Sequence, residues 1–458
     1  MVKDDDQQLR KLYNKLTKLL VNDDDDGLDF YKLLPTQPDR PAFQALIAGS
    51  SLPPGRFSEA FVFFCEKLRG TDSDGEPIDF IRMDDAIRNR LTVVAIHLGE
   101  FDDPYLIFES LNAKGAPLTQ ADLIRNYILL RLRADDQQKA YESAWLPMQN
   151  ALGDHLTEFM RQYLMQSGEE VAKSSIYAVL KKRLLNIPDK EVMKELHEIH
   201  SASSLYAIIV GLSSATEAKI AERLKRLLRW EIATASPFVL KLLICHSKSK
   251  VTTENIVSCL KIIESFAVRR AVCAVPTNQL KKIFLSVAKD MPEEGDIASW
   301  LCEKLAAGAS GRRWPKDEEF HESLYRYRAY AGPIDRCRFL LESLEVSYPN
   351  KERASFELAT IEHIMPQTLT EAWRAALGQN AEEVHERLID NIGNLTITAY
   401  NSELSNLKFA DKKKLLEESH FCLNRWICEK SQWGEVEIRE RVAEIFGRAV
   451  KIWPYANF

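Results

Sequence analysis

Residues 361–367 read IEHIMPQ, an acid and a histidine side by side in an apolar stretch that ends at Pro366. The run ATIEHI has the short, apolar-rich character of a β-strand, and a proline, which cannot donate to a ladder, marks its end. Neighbouring side chains on a regular strand point to opposite faces, so Glu362 and His363 are expected to share a site only where the backbone leaves regular geometry. A polar, helix-like segment follows. Then DNIGNLTITAYNSELSNLKFADKKK, at 390–414, supplies a second strand-like run, NLTITAY, and a further helix. The parts come in a fixed order: a strand with the acid and histidine, a strand with Asn394, and a helix with Asn401.

Working outward, the dominant pattern is helical. Leu9, Leu12, Leu16, Leu19 and Leu20 recur at three- and four-residue spacing until the acidic NDDDDG at 22–27 breaks the period. KIAERLKRLLRW (219–230), ENIVSCLKIIESFAVRR (254–270) and EVEIRERVAEIFGRAVKIW (435–453) repeat that spacing. The middle third is therefore expected to be a helical array. RLTVVAIHL (90–98) is expected to be a strand, and AAGASGRRWPKDEEF (306–320), with its small residues, charge and proline, a break between domains.

The 458 residues allow two or three domains, and 45% hydrophobic with 28% charged residues is ordinary globular composition. No run of about 18 uncharged apolar residues occurs and the start, MVKDDDQQLRKL, carries no apolar signal region, so a cytosolic, membrane-free protein is expected. Eight scattered cysteines form no CxxC pair, which argues against a zinc ribbon or a disulfide framework. The net charge of −6 argues against a protein that coats nucleic acid, and any such contact must be focal.

FESLNAKGAPLTQADLIRNYILL, from Phe108 to Leu130, combines turn-tolerant Asn112 and Gly115 with an N-cap pair, Thr119 and Asp122, and predicts strand, tight turn and helix. The phrase resembles a signature of the ParB-like N-terminal domain of GmrSD-type restriction proteins, F-E-x-L-N-x-x-G-x-x-L-T-x-x-D-L-I-x-N, and matches it at every fixed position. VRRAVCAVPTNQLKKIF (268–284) is similar to the same family's helical region. That family's D-G-Q-Q-R motif has no counterpart here. The nearest echo, Asp6-Gln7-Gln8, lacks the glycine and the arginine register. The chain is accordingly expected to begin after the first motif, with Asn112 and Gly115 as a nucleotide-site remnant and no nucleotide hydrolysis by this chain alone.

Near the C-terminus, I-E-H-I-x-P-Q, I-G-N-L-T and N-x-x-x-x-N-x-x-F-x-x-K resemble the HNH, or ββα-metal, nuclease domain of the same family, with Phe409 and Lys412 completing the last element. The resemblance implies a mainly α protein in three parts: an incomplete ParB-like α/β remnant at 1–135, a helical region at 136–310 and an HNH endonuclease domain at 311–458. It further implies defence against phage DNA, with modified DNA as the partner and a second chain as a candidate source of the missing half.

The chemistry accounts for the adjacent acid and histidine. Phosphodiester cleavage needs a deprotonated water, neutralised phosphorane oxygens and help for the departing 3′ oxygen. His363 titrates near neutrality and suits the general base. A hard cation, Mg²⁺ or Mn²⁺, prefers oxygen ligands and keeps waters, so Glu362 and Asn401 suffice as protein ligands, with Asn406 as a further candidate. Asn394 is expected either to accept the other ring N–H of His363 or to hold the loop. Lys408, Lys412 and Lys413 are expected to flank the site as a DNA-binding surface, with Arg312 and Arg313 as the next candidates. His197 and His200, one helical turn apart with no third ligand nearby, and His385 read as helix surface. The other reading is a DNA- or partner-binding scaffold whose nuclease site is silent without the missing half.

Overall fold

The computed structural model describes residues 7–93, 97, 118–350 and 355–456, save 23, 28, 36–38, 73 and 216. The chain is mainly helical and divides into two compact units, Met1–Pro104 and Tyr105–Phe458.

The first unit carries helices Gln7–Leu20, Arg40–Ile47, Arg56–Leu68 and Phe80–Arg90. Among its described hydrophobic residues only Val21 and Ala42 are buried. Of the strand expected at 90–98, Arg90 ends a helix and 91–93 and 97 form no regular element, while 94–96 and 98 lie outside the described residues. Asp79 starts that helix by accepting from the backbone N–H groups of Ile81 and Arg82. Arg88 and Arg90 then sit in its last turn, where cations suit the exposed carbonyls.

The second unit opens with helix Gln120–Leu130, whose start is the expected capping box: Thr119 Oγ1 accepts from Asp122 N and the Asp122 carboxylate accepts from Thr119 N. The motif's earlier part, Asn112 and Gly115 included, lies outside the described residues. The periodic runs form helices as expected, among them Ala218–Arg229, Thr253–Val272 and Glu435–Ile452. One core gathers Ile124, Phe159, Leu196 and Leu240, and a second gathers Phe238, Ile263, Phe284 and Leu301.

A third core joins the helical array to the C-terminal segment, with Trp230 and Val268 beside Phe339, Leu395 and Trp453. Residues 306–320, expected as a break, are strapped to helix Thr253–Val272 by two buried arginines. Arg269 donates to Trp453 O, Pro315 O and Asp317 Oδ1, and Arg270 donates to Arg313 O, Pro276 O and Gly311 O. Buried guanidinium groups persist where carbonyls and carboxylates satisfy their donors, and here four of the six acceptors belong to 306–320.

Strands β1 (Thr360–His363) and β2 (Leu395–Thr398) pair antiparallel, with Glu362 opposite Thr396 and His363 opposite Leu395. Leu395 and Ile397 pack with helix Ile334–Val346. Thr396 Oγ1 donates to Asn424 Oδ1 at 2.5 Å, and Asn424 Nδ2 donates to Ile397 O at 3.2 Å. The turn before β2 is dense. Arg441 donates to Gly393 O and Leu395 O at 3.1 and 2.8 Å, and a Cβ on Gly393 would meet Ile438 O at 2.6 Å. A fourth core of Ile364, Met365, Trp373, Leu404, Phe409 and Trp433 lies around the end of β1 and the helices beyond β2.

Candidate active site

Regular pairing runs through the end of β1, so Glu362 and His363 leave the strand in different directions. The Glu362 carboxylate meets Lys412, while the His363 ring lies against Tyr330, with centroids 4.5 Å apart and planes at 81°. Both still line one cavity of about 360 Å³, together with Asn401, Asn406, Ser405 and Tyr330. The expected departure from strand geometry is therefore unnecessary: β1 is regular to its end at His363, and both residues line the same opening.

Each side chain is held from a different element. Lys412, from helix Phe409–Glu417, is fully buried and donates to Glu362 Oε1 at 2.5 Å and to His363 O at 2.7 Å. Burial pushes the Glu362 carboxyl above its ordinary range, opposed by Lys412, and pushes the Lys412 ammonium below its own, opposed by Glu362. Burial also carries His363 down to about 4, against the pull of Asp390 and with Lys412 and His385 adding to the fall. The ring is therefore neutral at pH 7, the form that can take a proton.

Asn394 holds the loop and not the ring. Its Oδ1 accepts from Met365 N and Trp433 Nε1, and its Nδ2 donates to Met365 O and Ile389 O, all within 3.1 Å. His385, expected as helix surface, is half-buried with Nε2 2.8 Å from Pro366 O, and so supports the same loop. Asn401 Nδ2 donates to Ile361 O and Thr360 Oγ1, and its Oδ1 has no partner among the described residues. Ser405 takes a φ of 35° in the turn to the exposed Asn406.

The lysines separate. Lys408 is exposed and borders a second cavity, of about 300 Å³, with Trp373, Phe409 and Trp433. Lys413 is half-buried and donates to Lys430 O. The expectation that Lys412 meets phosphate is corrected, because its ammonium has no exposed surface and is committed to Glu362 and His363. Arg313 pairs with Glu319.

Among the described residues no group of three or more His, Cys, Asp or Glu could hold a metal, His197 and His200 included. The carboxylate and amide residues Glu362, Asn401 and Asn406 are among those that line the cavity. That set suits a hard cation that keeps most of its waters and does not suit zinc. Tyr330 and Asp390 escaped the sequence reading. The only available signal was the acid at the head of DNIGNL, since Tyr330 reaches the site from 30 residues upstream of Thr360.

Residues 314–448 match the family model described as GmrSD restriction endonucleases, C-terminal domain, and the matched span contains Tyr330, Glu362, His363, Asp390, Asn394, Asn401, Asn406 and Lys412. No curated protein matches the chain. That segment is therefore similar to the C-terminal domain of restriction endonucleases. No helix among the described residues is long and apolar enough to cross a membrane.

Proposed function

We propose that this chain is a metal-dependent DNA endonuclease or nickase of the HNH type, acting in cytoplasmic, modification-dependent restriction of phage DNA. The carrying observation is the convergence of Glu362, His363, Asn401 and Asn406 on one cavity within the matched segment. Neutral His363 takes a proton from a water at the cavity. The resulting hydroxide attacks phosphorus, the P–O3′ bond breaks, and the departing 3′ oxygen takes its proton from solvent. Glu362 and Asn401, with Asn406 in reach, would hold a divalent cation, Mg²⁺ or Mn²⁺, which would supply charge neutralisation at the phosphoryl oxygens and the leaving group. Asn394 and His385 keep the loop after β1 in place while this occurs.

The N-terminal part is proposed as ParB-like on the strength of residues 108–126. One observation favours the scaffold reading: Lys412 engages one oxygen of the candidate ligand Glu362. A plasmid-nicking assay with Mg²⁺, Mn²⁺ and EDTA separates the two. Metal-dependent nicking that falls about 10²–10⁴-fold in a folded His363→Ala variant supports the nuclease. Absence of nicking by the folded protein with either metal supports the scaffold.

A further inference from the structure

The one ring nitrogen of His363 that the mechanism leaves unused is in an expensive place. Nε2 is buried and makes no hydrogen bond, whereas Nδ1 is not enclosed in that way, and His363 lines the cavity. A buried N–H without an acceptor costs about 1–3 kcal/mol, and an imidazole whose tautomer is unspecified offers its lone pair to the cavity only part of the time.

The nearest anion is Asp390. Its Oδ1 lies 3.7 Å from His363 Nε2, beyond hydrogen-bond length but within reach of a small side-chain rotation, and its side chain is only 15% exposed. Asp390 is itself held. Its Oδ2 accepts from an Arg328 NH₂ group at 2.7 Å, its carbonyl is 3.4 Å from Tyr330 N, and Arg328 bridges to Asn391 next to it. Tyr330 packs on the His363 ring from the same segment. The other groups acting on the ring, Lys412 and His385, are turned to the backbone carbonyls of His363 and Pro366 and offer Nε2 no acceptor.

We infer that Asp390, fixed by Arg328, is the positioning residue of His363: it accepts Nε2–H and so keeps the Nδ1 lone pair turned to the cavity. This rests on the nuclease reading for its catalytic meaning, but not for its geometry. It also brings the segment 328–330, outside the strand–strand–helix elements, into the active site. When Nδ1 takes the water proton, the imidazolium is stabilised by the adjacent charge, and no proton passes to Asp390.

The test uses the full chain labelled with ¹⁵N-histidine, the signals of His363 among the nine histidines being identified by their loss in His363→Gln. At pH 7.5 the wild type should show Nε2 protonated and Nδ1 bare. Asp390→Asn, whose amide can donate to Nε2, should shift the population toward the Nδ1–H form. It should also lower kcat for plasmid nicking roughly 10–100-fold with KM for DNA unchanged, as expected for loss of an orienting carboxylate. Asp390→Glu should recover part of both. Arg328→Gln, which frees Asp390 without touching the ring, guards against a folding failure of the first variant and should give a smaller change in the same direction. An Nδ1–H ring in the wild type, or unchanged ring signals and kcat in Asp390→Asn, overturns the assignment. A wild type that nicks nothing yet shows the Asp390-dependent Nε2–H ring keeps the pairing and overturns the nuclease reading.

Discussion

Replacing Lys412 with methionine keeps the reach of the side chain and removes its charge. The ammonium it deletes has no exposed surface, and the Glu362 side chain left behind is 5% exposed. That carboxylate must then stay ionised without a partner or take up a proton. Against an ordinary unfolded value of about 4.3, protonation at pH 7 spans about 2.7 pH units at 1.36 kcal/mol each, or roughly 3.7 kcal/mol. This bounds the electrostatic loss and agrees with about 3–5 kcal/mol for breaking a buried pair. The hydrogen bond to His363 O adds about 1 kcal/mol. At pH 5 the protonation part shrinks to about 1 kcal/mol, so the variant should lose about 4–5 kcal/mol at pH 7 and about 2 kcal/mol at pH 5. Guanidinium denaturation in EDTA, followed by the fluorescence of Trp373 and Trp433 in the adjoining core, measures both. Adding Glu362→Gln should recover part of the loss at pH 7 and remove the pH difference. A loss under about 1 kcal/mol at pH 7, or equal losses at the two pH values, would refute the view that the pair is a buried and mutually dependent unit.

Three further outcomes follow from the site and its support. His363 is neutral when folded, with its value near 4 against an ordinary value of about 6.5, so the unfolded chain binds more protons between those values and stability falls as pH drops through that window. In metal-free buffer the drop from pH 7 to pH 4 should be about 3 kcal/mol smaller in His363→Gln than in the wild type, as measured by denaturant midpoints. Gly393→Ala forces a methyl group against Ile438 O and Val442 Cγ2, and should cost about 1–3 kcal/mol and lower the thermal midpoint by a few degrees in calorimetry. Lys408→Ala should reduce the slope of log affinity for DNA against log salt by about one, equally on all sequences, whereas Lys412→Ala should leave that slope unchanged; equal effects of the two would place Lys412 at the DNA after all.

Much of the site was written in local pattern. The two strands, the order of Glu362, His363, Asn394 and Asn401, and the long helices follow from apolar periodicity and turn residues, which act over a few positions. Lys412 shows where that reading stopped too early. DKKK looks like a solvated charge run, but Phe409, Lys412 and Leu416 fall at helical spacing and are the buried face of their helix, so the period already set Lys412 apart from its neighbours. Asp390, Tyr330 and Arg328 are different. They matter through approach in space, and no local spacing encodes the distance from Tyr330 to His363. The ties of segment 306–320 were hidden for the same reason: its composition marks a break, and the two arginines that hold it lie some 40 residues earlier.

Those arginines bear on how the nuclease segment can be handled as a part. A fragment starting at residue 311 would carry Trp453, Asp317 and the carbonyl of Pro315 away from Arg269, and would turn Phe339 out from beside Trp230. It would not be an exchangeable cassette, because its inner surface is finished only by the helices that precede it. Recombination that grafts this segment onto another body must bring helix Thr253–Val272 with it, and the smallest inheritable block extends back to at least Thr253.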